Sequence, residues 1–114
     1  MDESLLQEIL NFRNERDWKQ FHNPKDLAIS LSLEAAELLE TFQWSGTDFE
    51  CREKSDKIRE ELADVCIYAA LIADAYGLDL DTIIREKLKI NAEKYPADAA
   101  RGSAKKYTEL TKND

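Results

Sequence analysis

Residues 60–73 of the sequence read EELADVCIYAALIA, and this stretch decides the fold class. Among residues 62–73, Asp64 is the single charged side chain in an otherwise apolar run. A membrane-spanning helix needs about 20 apolar residues, so this shorter run predicts a helix buried in a soluble protein. An ionised carboxylate buried without a partner is strongly unfavourable. We therefore expect Asp64 to have compensating partners elsewhere.

The composition indicates one helical domain. A chain of 114 residues is long enough for a single hydrophobic core and too short for two. Hydrophobic residues make up 43% and charged residues 35%, with three Gly and two Pro, which is typical of a folded, helix-rich protein. We predict an all-α fold in one domain over residues 1–114, in which residues 96–114 form a polar C-terminal tail.

The charge argues against a nucleic-acid polymer as partner. With 24 acidic and 16 basic residues, the formal net charge is -8, whereas binding a phosphate backbone requires a basic surface. If the protein handles phosphates, a metal ion must help. The first residues, MDESLLQEIL, lack a basic segment followed by an apolar run. We therefore expect no secretory signal and no membrane association, and we predict a cytoplasmic location.

Apolar spacing and capping residues predict four helices and no strand. Asn23 followed by Pro24 favours the start of the second helix. Gly77 favours the end of the third helix, and Asp79 or Asp81 the start of the fourth. The predicted helices cover residues 3–18, 24–44, 53–76 and about 80–94, with Gly46 in the loop after the second helix. Cys66 lies in the apolar run and is expected to be a reduced core thiol.

Two pairs of acids lie three residues apart on the second and third helices. Glu34 and Glu37 fall about 60° apart on one side of a helix, and apolar residues flank them on both edges. Glu61 and Asp64 repeat the arrangement, with Lys57 one turn earlier. Acid pairs at this spacing also occur by chance on solvated faces. If the two helices pack side by side, however, the four carboxylates surround one small volume.

Four negative charges that close together need compensation, and Lys57 supplies only part of it. Either the carboxyls share protons with raised pKa values, or a divalent cation binds among them, which is the simpler answer. Oxygen ligands favour Mg²⁺, for which Mn²⁺ can substitute. The helical di-iron carboxylate site is disfavoured because it uses two Glu-x-x-His motifs, and His22 is the only histidine.

The acid pairs and four longer motifs resemble the MazG-like, all-α nucleoside triphosphate pyrophosphohydrolases, in particular their dCTP pyrophosphatase branch. The motifs are RDWKQFHNPKDLA, ELLETFQW, ELADVCIYAALIA and NAEKYPADAARGSAKKYTEL, which lie within residues 16–110. The resemblance implies that Glu34, Glu37, Glu61 and Asp64 hold Mg²⁺ while water attack separates the α and β phosphates of a nucleotide. The products would be a nucleoside monophosphate and pyrophosphate. Leu33 stands where the broader family often has a further Glu.

Further residues are candidates for catalysis and substrate binding. A carboxylate that is not fully used in coordination could accept the proton of the attacking water, and Glu37 is our candidate. Spacing places Lys87, Asn91 and Lys94 on one helix face, which could contact phosphate or could simply be solvated. Arg101 in the tail is a further candidate. The aromatic residues considered for a nucleobase pocket are Trp18, Trp44, Tyr68 and Tyr95, with His22 as a possible reader of the base.

The resemblance also implies an assembly and a substrate. MazG-like proteins are tight dimers of helical hairpins, commonly paired into tetramers, in which a neighbouring chain completes each site. We predict a four-helix bundle whose helical hairpins associate into a homodimer or into a homotetramer that is a dimer of dimers, with the tetramer favoured. The favoured substrate is dCTP, with dATP and modified dNTPs left open. The alternative is a non-catalytic helical module that binds a nucleotide or a protein and in which the acids hold a structural metal.

Overall fold

The computed structural model describes residues 1–106 and residue 108, and within them the chain is helical without strands. The prediction of an all-α fold is therefore confirmed. The helices are α1 (Glu3–Glu15), α2 (Pro24–Glu40), α3 (Ser55–Ala75), α4 (Leu80–Lys94) and the short α5 (Ala97–Ala100). The chain divides into two compact units, Met1–Leu78 and a second one that begins at Asp79. The single domain over residues 1–114 stays a prediction.

Helix α1 ends at Glu15, three residues before the predicted end. Asp17 adopts the left-handed conformation, with φ 54°, and the Trp18 N–H donates to the Arg13 carbonyl at 3.1 Å. The Asp17 N–H donates to the Asn14 carbonyl, also at 3.1 Å, so the helix closes with a Schellman motif. The Gln20 side chain donates to the Asp17 carboxylate at 2.9 Å. This turn fixes where Trp18 lies.

Helix α2 begins as predicted, but it ends at Glu40 rather than near Trp44. At its start, the Asn23 side chain accepts a hydrogen bond from the Asp26 N–H at 2.9 Å, and Pro24 occupies the first helical position. At its end, the chain enters a series of turns in which Trp44 has φ 64° and Gly46 has φ 60°. The positive φ at Trp44 is incompatible with continuing the helix.

Helices α2 and α3 form the main packing of the first unit. Leu27 from α2 and Ala70, Leu71 and Ala73 from α3 are buried, so the apolar run of residues 60–73 contributes one face of its helix to the core. Gly77 closes α3 as predicted, with φ 64° and a hydrogen bond from the Leu78 N–H to the Ala73 carbonyl at 2.8 Å.

The two cysteines are free, but their burial differs from the expectation for Cys66. Cys66 is exposed, because the apolar run wraps around the whole of α3 while only one face packs against α2. Cys51 is the buried thiol. Its Sγ donates to the Asp48 carbonyl at 3.4 Å and its N–H donates to the Asp48 side chain at 3.2 Å, which holds the loop before α3.

In the second unit, Asp79 rather than Asp81 caps α4. The Asp79 carboxylate accepts hydrogen bonds from the Thr82 N–H at 3.1 Å and the Thr82 hydroxyl at 2.6 Å. Helix α4 ends at Lys94, followed by Pro96 and by α5 within the predicted polar tail. Over the described residues, we find no helix with the length and apolar character that crossing a bilayer demands.

Candidate active site

Carboxylates from α2 and α3 meet at the centre of the first unit. Glu34 on α2 and Glu61 and Asp64 on α3 each offer one oxygen, and these oxygens all lie within 4.8 Å of one another. The three-residue spacing on α3 directs Glu61 and Asp64 to the side of the helix that packs against α2. The partners of Asp64 expected from the sequence are therefore beside it in the fold.

The carboxylates of Glu61 and Glu34 are only partly satisfied by the protein. Glu61 is buried, and its Oε1 lies 2.7 Å from the Lys57 Nζ, one turn earlier on α3. This ion pair lowers the pKa of Glu61, which therefore stays ionised. The Oε2 atoms of Glu61 and of Glu34 are buried and have no hydrogen-bond partner among the described residues.

Glu37 lies beside this triad and is more exposed than its members. Its pKa is raised to about 7, first by the neighbouring Glu61 carboxyl and then by that of Glu34, with which a protonated Glu37 can share its hydrogen and whose negative charges add to the effect. The neighbouring carboxyls of Glu37, Glu61 and Glu34 can thus share a proton near neutral pH. Glu37 is the carboxyl that can most readily exchange that proton with solvent, because its side chain is exposed.

The cluster fits a hard divalent cation. Its ligands are carboxylates, and one oxygen each of Glu34 and Glu61 is buried without a hydrogen-bond partner in the described part of the chain, which is costly unless an ion or a proton satisfies it. Mg²⁺ accepts such ligands and retains waters in its remaining positions. Coordination by Glu34, Glu37, Glu61 and Asp64 stays a prediction, which the proximity of Glu34, Glu61 and Asp64 supports.

An aromatic cavity of about 420 Å³ opens on one side of the cluster. Trp18, His22 and Tyr68 line it, and Glu34 and Asp64 of the cluster are among its acidic lining residues, together with Glu8. The His22 ring contacts both of the other rings. Its centroid lies 6.4 Å from that of Trp18 and 6.4 Å from that of Tyr68. Such a surface can stack a planar ring next to the carboxylates.

His22 is the polar ring of that cavity. Its Nδ1 is buried and has no hydrogen-bond partner among the described residues. Burial lowers the pKa of His22, and the positive charge of Arg13 lowers it further. His22 is therefore neutral near pH 7 and can offer either a donor or an acceptor to a ligand.

A charged cavity of about 690 Å³ opens on another side of the same cluster. Glu37 and Glu61 contribute to its wall, together with Thr41, Lys54 and Lys57. Glu40, Glu53 and Asp56 also line it, so acidic residues outnumber the two lysines. The cavity therefore attracts cations, and a phosphate can bind there only once a cation has offset the negative charge. The carboxylate cluster therefore stands between an aromatic cavity and a charged one.

The remaining predicted site residues belong to other segments of the chain. Trp44 follows α2 and is 91% exposed in this chain, and its place in a nucleobase pocket stays a prediction. Lys87, Asn91 and Lys94 lie on α4 of the second unit. Tyr95 and Arg101 follow α4 and α5. Substrate contacts by all five of these second-unit residues stay predictions.

Sequence reasoning missed Arg13 as a residue of the aromatic cavity. Arg13 is buried on α1 and lines the cavity, while its Nη1 lies 3.1 Å from the Asp74 Oδ2 on α3. Phe12 lies beside it and meets the Trp18 ring edge-on at 5.8 Å. An arginine inside the apolar stripe of α1 indicates that an acidic partner is needed in the fold. The residues near Arg13 in the sequence do not reveal that this partner is Asp74.

These features define an all-α protein whose central hairpin carries a candidate divalent-metal site next to a cavity suited to a planar ring. The sequence profile of the MazG-like family matches residues 29–110, and the chain belongs to this family. The resemblance to this family that the motifs indicated is therefore confirmed.

Individual relatives are similar over most of the chain. Human dCTP pyrophosphatase 1 is 44% identical over 106 residues, covering 87% of this chain and 61% of that protein. The rat protein of the same name is 39% identical over 105 residues with the same shares. The chain thus spans about 61% of the length of these curated relatives.

A solved structure has a similar fold. The crystal structure of a pyrophosphatase from Archaeoglobus fulgidus superposes with a TM-score of 0.77 at 40% sequence identity, covering 82% of this chain and 91% of that one. At this identity, the shared fold and the shared sequence support the same helical arrangement in both proteins.

Proposed function

We propose that this protein is a nucleoside triphosphate pyrophosphohydrolase that depends on Mg²⁺, with Mn²⁺ as a substitute. It converts a deoxynucleoside triphosphate, with dCTP favoured, to the monophosphate and pyrophosphate, and so removes unwanted nucleotides from the cellular pool. The supporting observation is the carboxylate cluster of Glu34, Glu61 and Asp64 between an aromatic cavity and a charged one. The names of the relatives point to the same chemistry.

A bound divalent cation would offset the negative charge of cluster and triphosphate and make a coordinated water more acidic. The carboxylates of Glu34, Glu61 and Asp64 would bind the cation through oxygens that lie within 4.8 Å of one another. Glu37, whose side chain is more exposed than those of the other three acids, accepts the proton of the attacking water. The oxygen of that water bonds to the α-phosphorus, the bond from this phosphorus to the bridging oxygen breaks, and pyrophosphate leaves with the electron pair.

The aromatic cavity is where we place the nucleobase. Trp18 and Tyr68 offer ring faces and edges, and the unpaired Nδ1 of His22 offers a polar contact at the edge of a base. Selectivity would arise because a wrong base leaves such buried groups unpaired. We favour dCTP and keep dATP and modified dNTPs as further substrates, and Trp44 and Tyr95 as residues that add to the pocket in the assembly.

For the phosphate chain we propose Lys87, Asn91 and Lys94, which recur on one face of α4, and Arg101. These side chains supply hydrogen-bond donors and, except for Asn91, positive charge. Hydrogen-bond donors and positive charge both suit the negatively charged oxygens of a triphosphate.

We also propose a homotetramer, built as a dimer of dimers, in the cytoplasm. Three large apolar side chains near the α2–α3 connection are exposed in the single chain: Leu39 at 70%, Phe49 at 81% and Trp44 at 91%. Such a surface favours burial against another copy. Light scattering coupled to gel filtration tests this, and a monomer at micromolar concentration would contradict it.

The second candidate function is a non-catalytic module in which the carboxylates hold a structural ion and the cavity binds a nucleotide or a protein. The exposed apolar residues near Trp44 give this alternative some support. It predicts binding without turnover.

One assay distinguishes the two functions. The purified protein is incubated with Mg²⁺ and a panel of dNTPs, and monophosphate and pyrophosphate are quantified for wild type, Glu37→Gln and Asp64→Asn. We expect turnover by wild type and a loss of about 100-fold or more in the variants. Nucleotide binding without turnover by wild type would support the non-catalytic module instead, and the same panel ranks the bases.

A further inference from the structure

The aromatic cavity lies between two parts of the first unit. Arg13 and Trp18 line it from α1 and the turn that follows, whereas Asp64 and Tyr68 line it from α3. The distance between α1 and α3 therefore sets the width of the cavity. Whatever holds the end of α1 against α3 determines whether a planar ring fits there.

Arg13 is the residue that holds the end of α1 in place. Among the residues of α1, all of which the structure describes, it is the only buried one, while the apolar Leu5 and Phe12 are 46% and 51% exposed. The Arg13 Nη1 donates to the Asp74 Oδ2 at 3.1 Å. Over the fully described helices α1, α2 and α3, this is the one side-chain hydrogen bond that α1 makes with another helix. The pair is therefore the polar link that fixes α1 on α3.

The same arginine determines where Trp18 lies. The Arg13 carbonyl accepts the Trp18 N–H at 3.1 Å across the turn that ends α1. Trp18 is 43% exposed, and the rings of Phe12 and His22 beside it belong to α1 and the segment after it. A shift of α1 therefore carries the Trp18 ring with it. Arg13 is also close enough to His22 for its positive charge to lower the pKa of that imidazole, in addition to the larger effect of burial.

We propose that the Arg13–Asp74 ion pair positions Trp18 for the nucleobase, so that Arg13 and Asp74 are positioning residues of the substrate pocket. The inference rests on the proposed function, because it assumes that a nucleobase enters the aromatic cavity. A ring that is held in place before binding loses less conformational freedom when a base stacks on it. Asp74 is not among the described residues that line the cavity, so it acts on the base through Arg13 and Trp18.

Three roles of the pair would give different results. A pair that only stabilises the fold leaves nucleotide affinity unchanged in every variant that is still folded. If Arg13 contacted the base directly, its removal would weaken nucleotide binding more than the removal of Asp74. If the two residues act as one positioning unit, breaking the pair from either side has the same effect, and removing both residues adds nothing further.

The first measurement is affinity, determined by calorimetry at a temperature at which circular dichroism shows each variant folded. The probes are Mn²⁺ alone and, at saturating Mg²⁺, α,β-imido-dCTP, which cannot be cleaved at the proposed position. The variants are Asp74→Ala, Arg13→Met and the double variant, with Asp74→Asn as the conservative change that keeps an acceptor for Arg13. Arg59→Met is the matched control, because Arg59 is exposed on α3, pairs with Asp56 and lines a different groove.

We expect Asp74→Ala, Arg13→Met and the double variant to weaken the analogue by about fivefold or more, by factors that agree within about threefold, and without a comparable loss of Mn²⁺ affinity. Asp74→Asn should lose less, and Arg59→Met should stay within about twofold of wild type. Three results would overturn the inference: unchanged analogue affinity in the folded variants, a much larger loss for Arg13→Met than for Asp74→Ala, or equal losses of analogue and Mn²⁺ affinity.

The second measurement reports on the Trp18 ring itself. The chain has two tryptophans, so in a Trp44→Phe background the tryptophan fluorescence comes from Trp18. Acrylamide quenching of this fluorescence measures how accessible the ring is without any nucleotide. We expect Asp74→Ala to increase the quenching constant and Arg59→Met to leave it unchanged. Unaltered quenching in folded Asp74→Ala would show that Trp18 keeps its place without the pair, which contradicts the inference.

The proposed function fails or stands separately. If wild type hydrolyses no dNTP, the pyrophosphohydrolase assignment falls, while quenching and analogue binding still decide the role of the pair. If wild type hydrolyses dNTPs but folded Asp74→Ala binds the analogue normally, the function stands and this inference is wrong. Failure of metal-loaded wild type to bind the analogue would contradict both.

Discussion

Arg13 and Asp74 join the end of α1 to the last turn of α3 across 61 residues of sequence, with 3.1 Å between Nη1 and Oδ2. The Arg13 side chain is 8% exposed and that of Asp74 is 32% exposed. The Arg13 carbonyl also accepts the Trp18 N–H that closes the turn after α1. One residue therefore anchors α1 and positions the ring that lines the aromatic cavity.

Removing the acid partner of this pair should destabilise the protein. We expect Asp74→Asn to lower the free energy of unfolding by about 1–3 kcal/mol, less than for a fully buried pair because Asp74 retains contact with water. Urea unfolding measures it. The exposed pair of Arg16 and Glu15 provides the control, since Glu15→Gln should change the stability by less than about 0.5 kcal/mol. Equal effects of the two changes would contradict the role of Arg13.

The burial of neutral His22 should make stability depend on pH. Because its folded-state pKa is lowered, the unfolded chain binds more protons below the unfolded pKa of about 6.5. The contribution of His22 is therefore fully present above that pH and is lost as the pH falls toward the lowered value.

The measurement is urea unfolding of wild type and His22→Asn between pH 8 and 5. Glu34 and Asp64 line the same cavity and are present in both proteins. The effect of His22 is therefore the difference in unfolding free energy between wild type and His22→Asn at each pH. Wild type should lose more stability than the variant on acidification. Parallel pH profiles would show that His22 titrates alike in the folded and unfolded states.

Gly77 should be replaceable only at a conformational cost. Its φ is 64°, and a Cβ built there would meet no atom within 4 Å, so the penalty comes from the backbone and not from a clash. We expect Gly77→Ala to lower the unfolding free energy by about 1 kcal/mol. Gly77→Asn should cost less, because Asn tolerates the left-handed region. Equal costs for Ala and Asn would count against this explanation.

Cation binding at the cluster should appear as thermal stabilisation. A ligand at 100 times its dissociation constant stabilises the folded state by about 2.7 kcal/mol, so saturating Mg²⁺ should raise the melting temperature of wild type by several degrees. Asp64→Asn should largely abolish that shift. Glu60→Gln is the matched control, because Glu60 lies on the same helix and is exposed. A full Mg²⁺ shift in Asp64→Asn would refute its role as a ligand.

The helices and the acid pairs could be predicted from the sequence because their signals are local. Apolar spacing, Asn23 and Gly77 marked helix positions, and the three-residue spacing of Glu61 and Asp64 placed both on one face. The early end of α1 could not be read in the same way. Asp17 adopts a positive φ there without the glycine that usually announces it.

The wrong prediction of burial for Cys66 has a different cause. An apolar residue in a helical pattern was assigned to a buried or site-facing position, but a single small unit buries only one face of each helix. The ion pair of Arg13 and Asp74 depends on tertiary packing between distant segments, for which sequence spacing carries no information.

We propose that the carboxylate cluster cleaves a dNTP between its α and β phosphates. The most direct test is a product analysis of dCTP incubated with Mg²⁺ and wild type, Glu61→Gln or the neighbouring control Glu60→Gln. We predict equimolar dCMP and pyrophosphate with wild type and the control, and a loss of at least about 100-fold with Glu61→Gln. Formation of dCDP and phosphate, or undiminished activity of Glu61→Gln, would contradict the account.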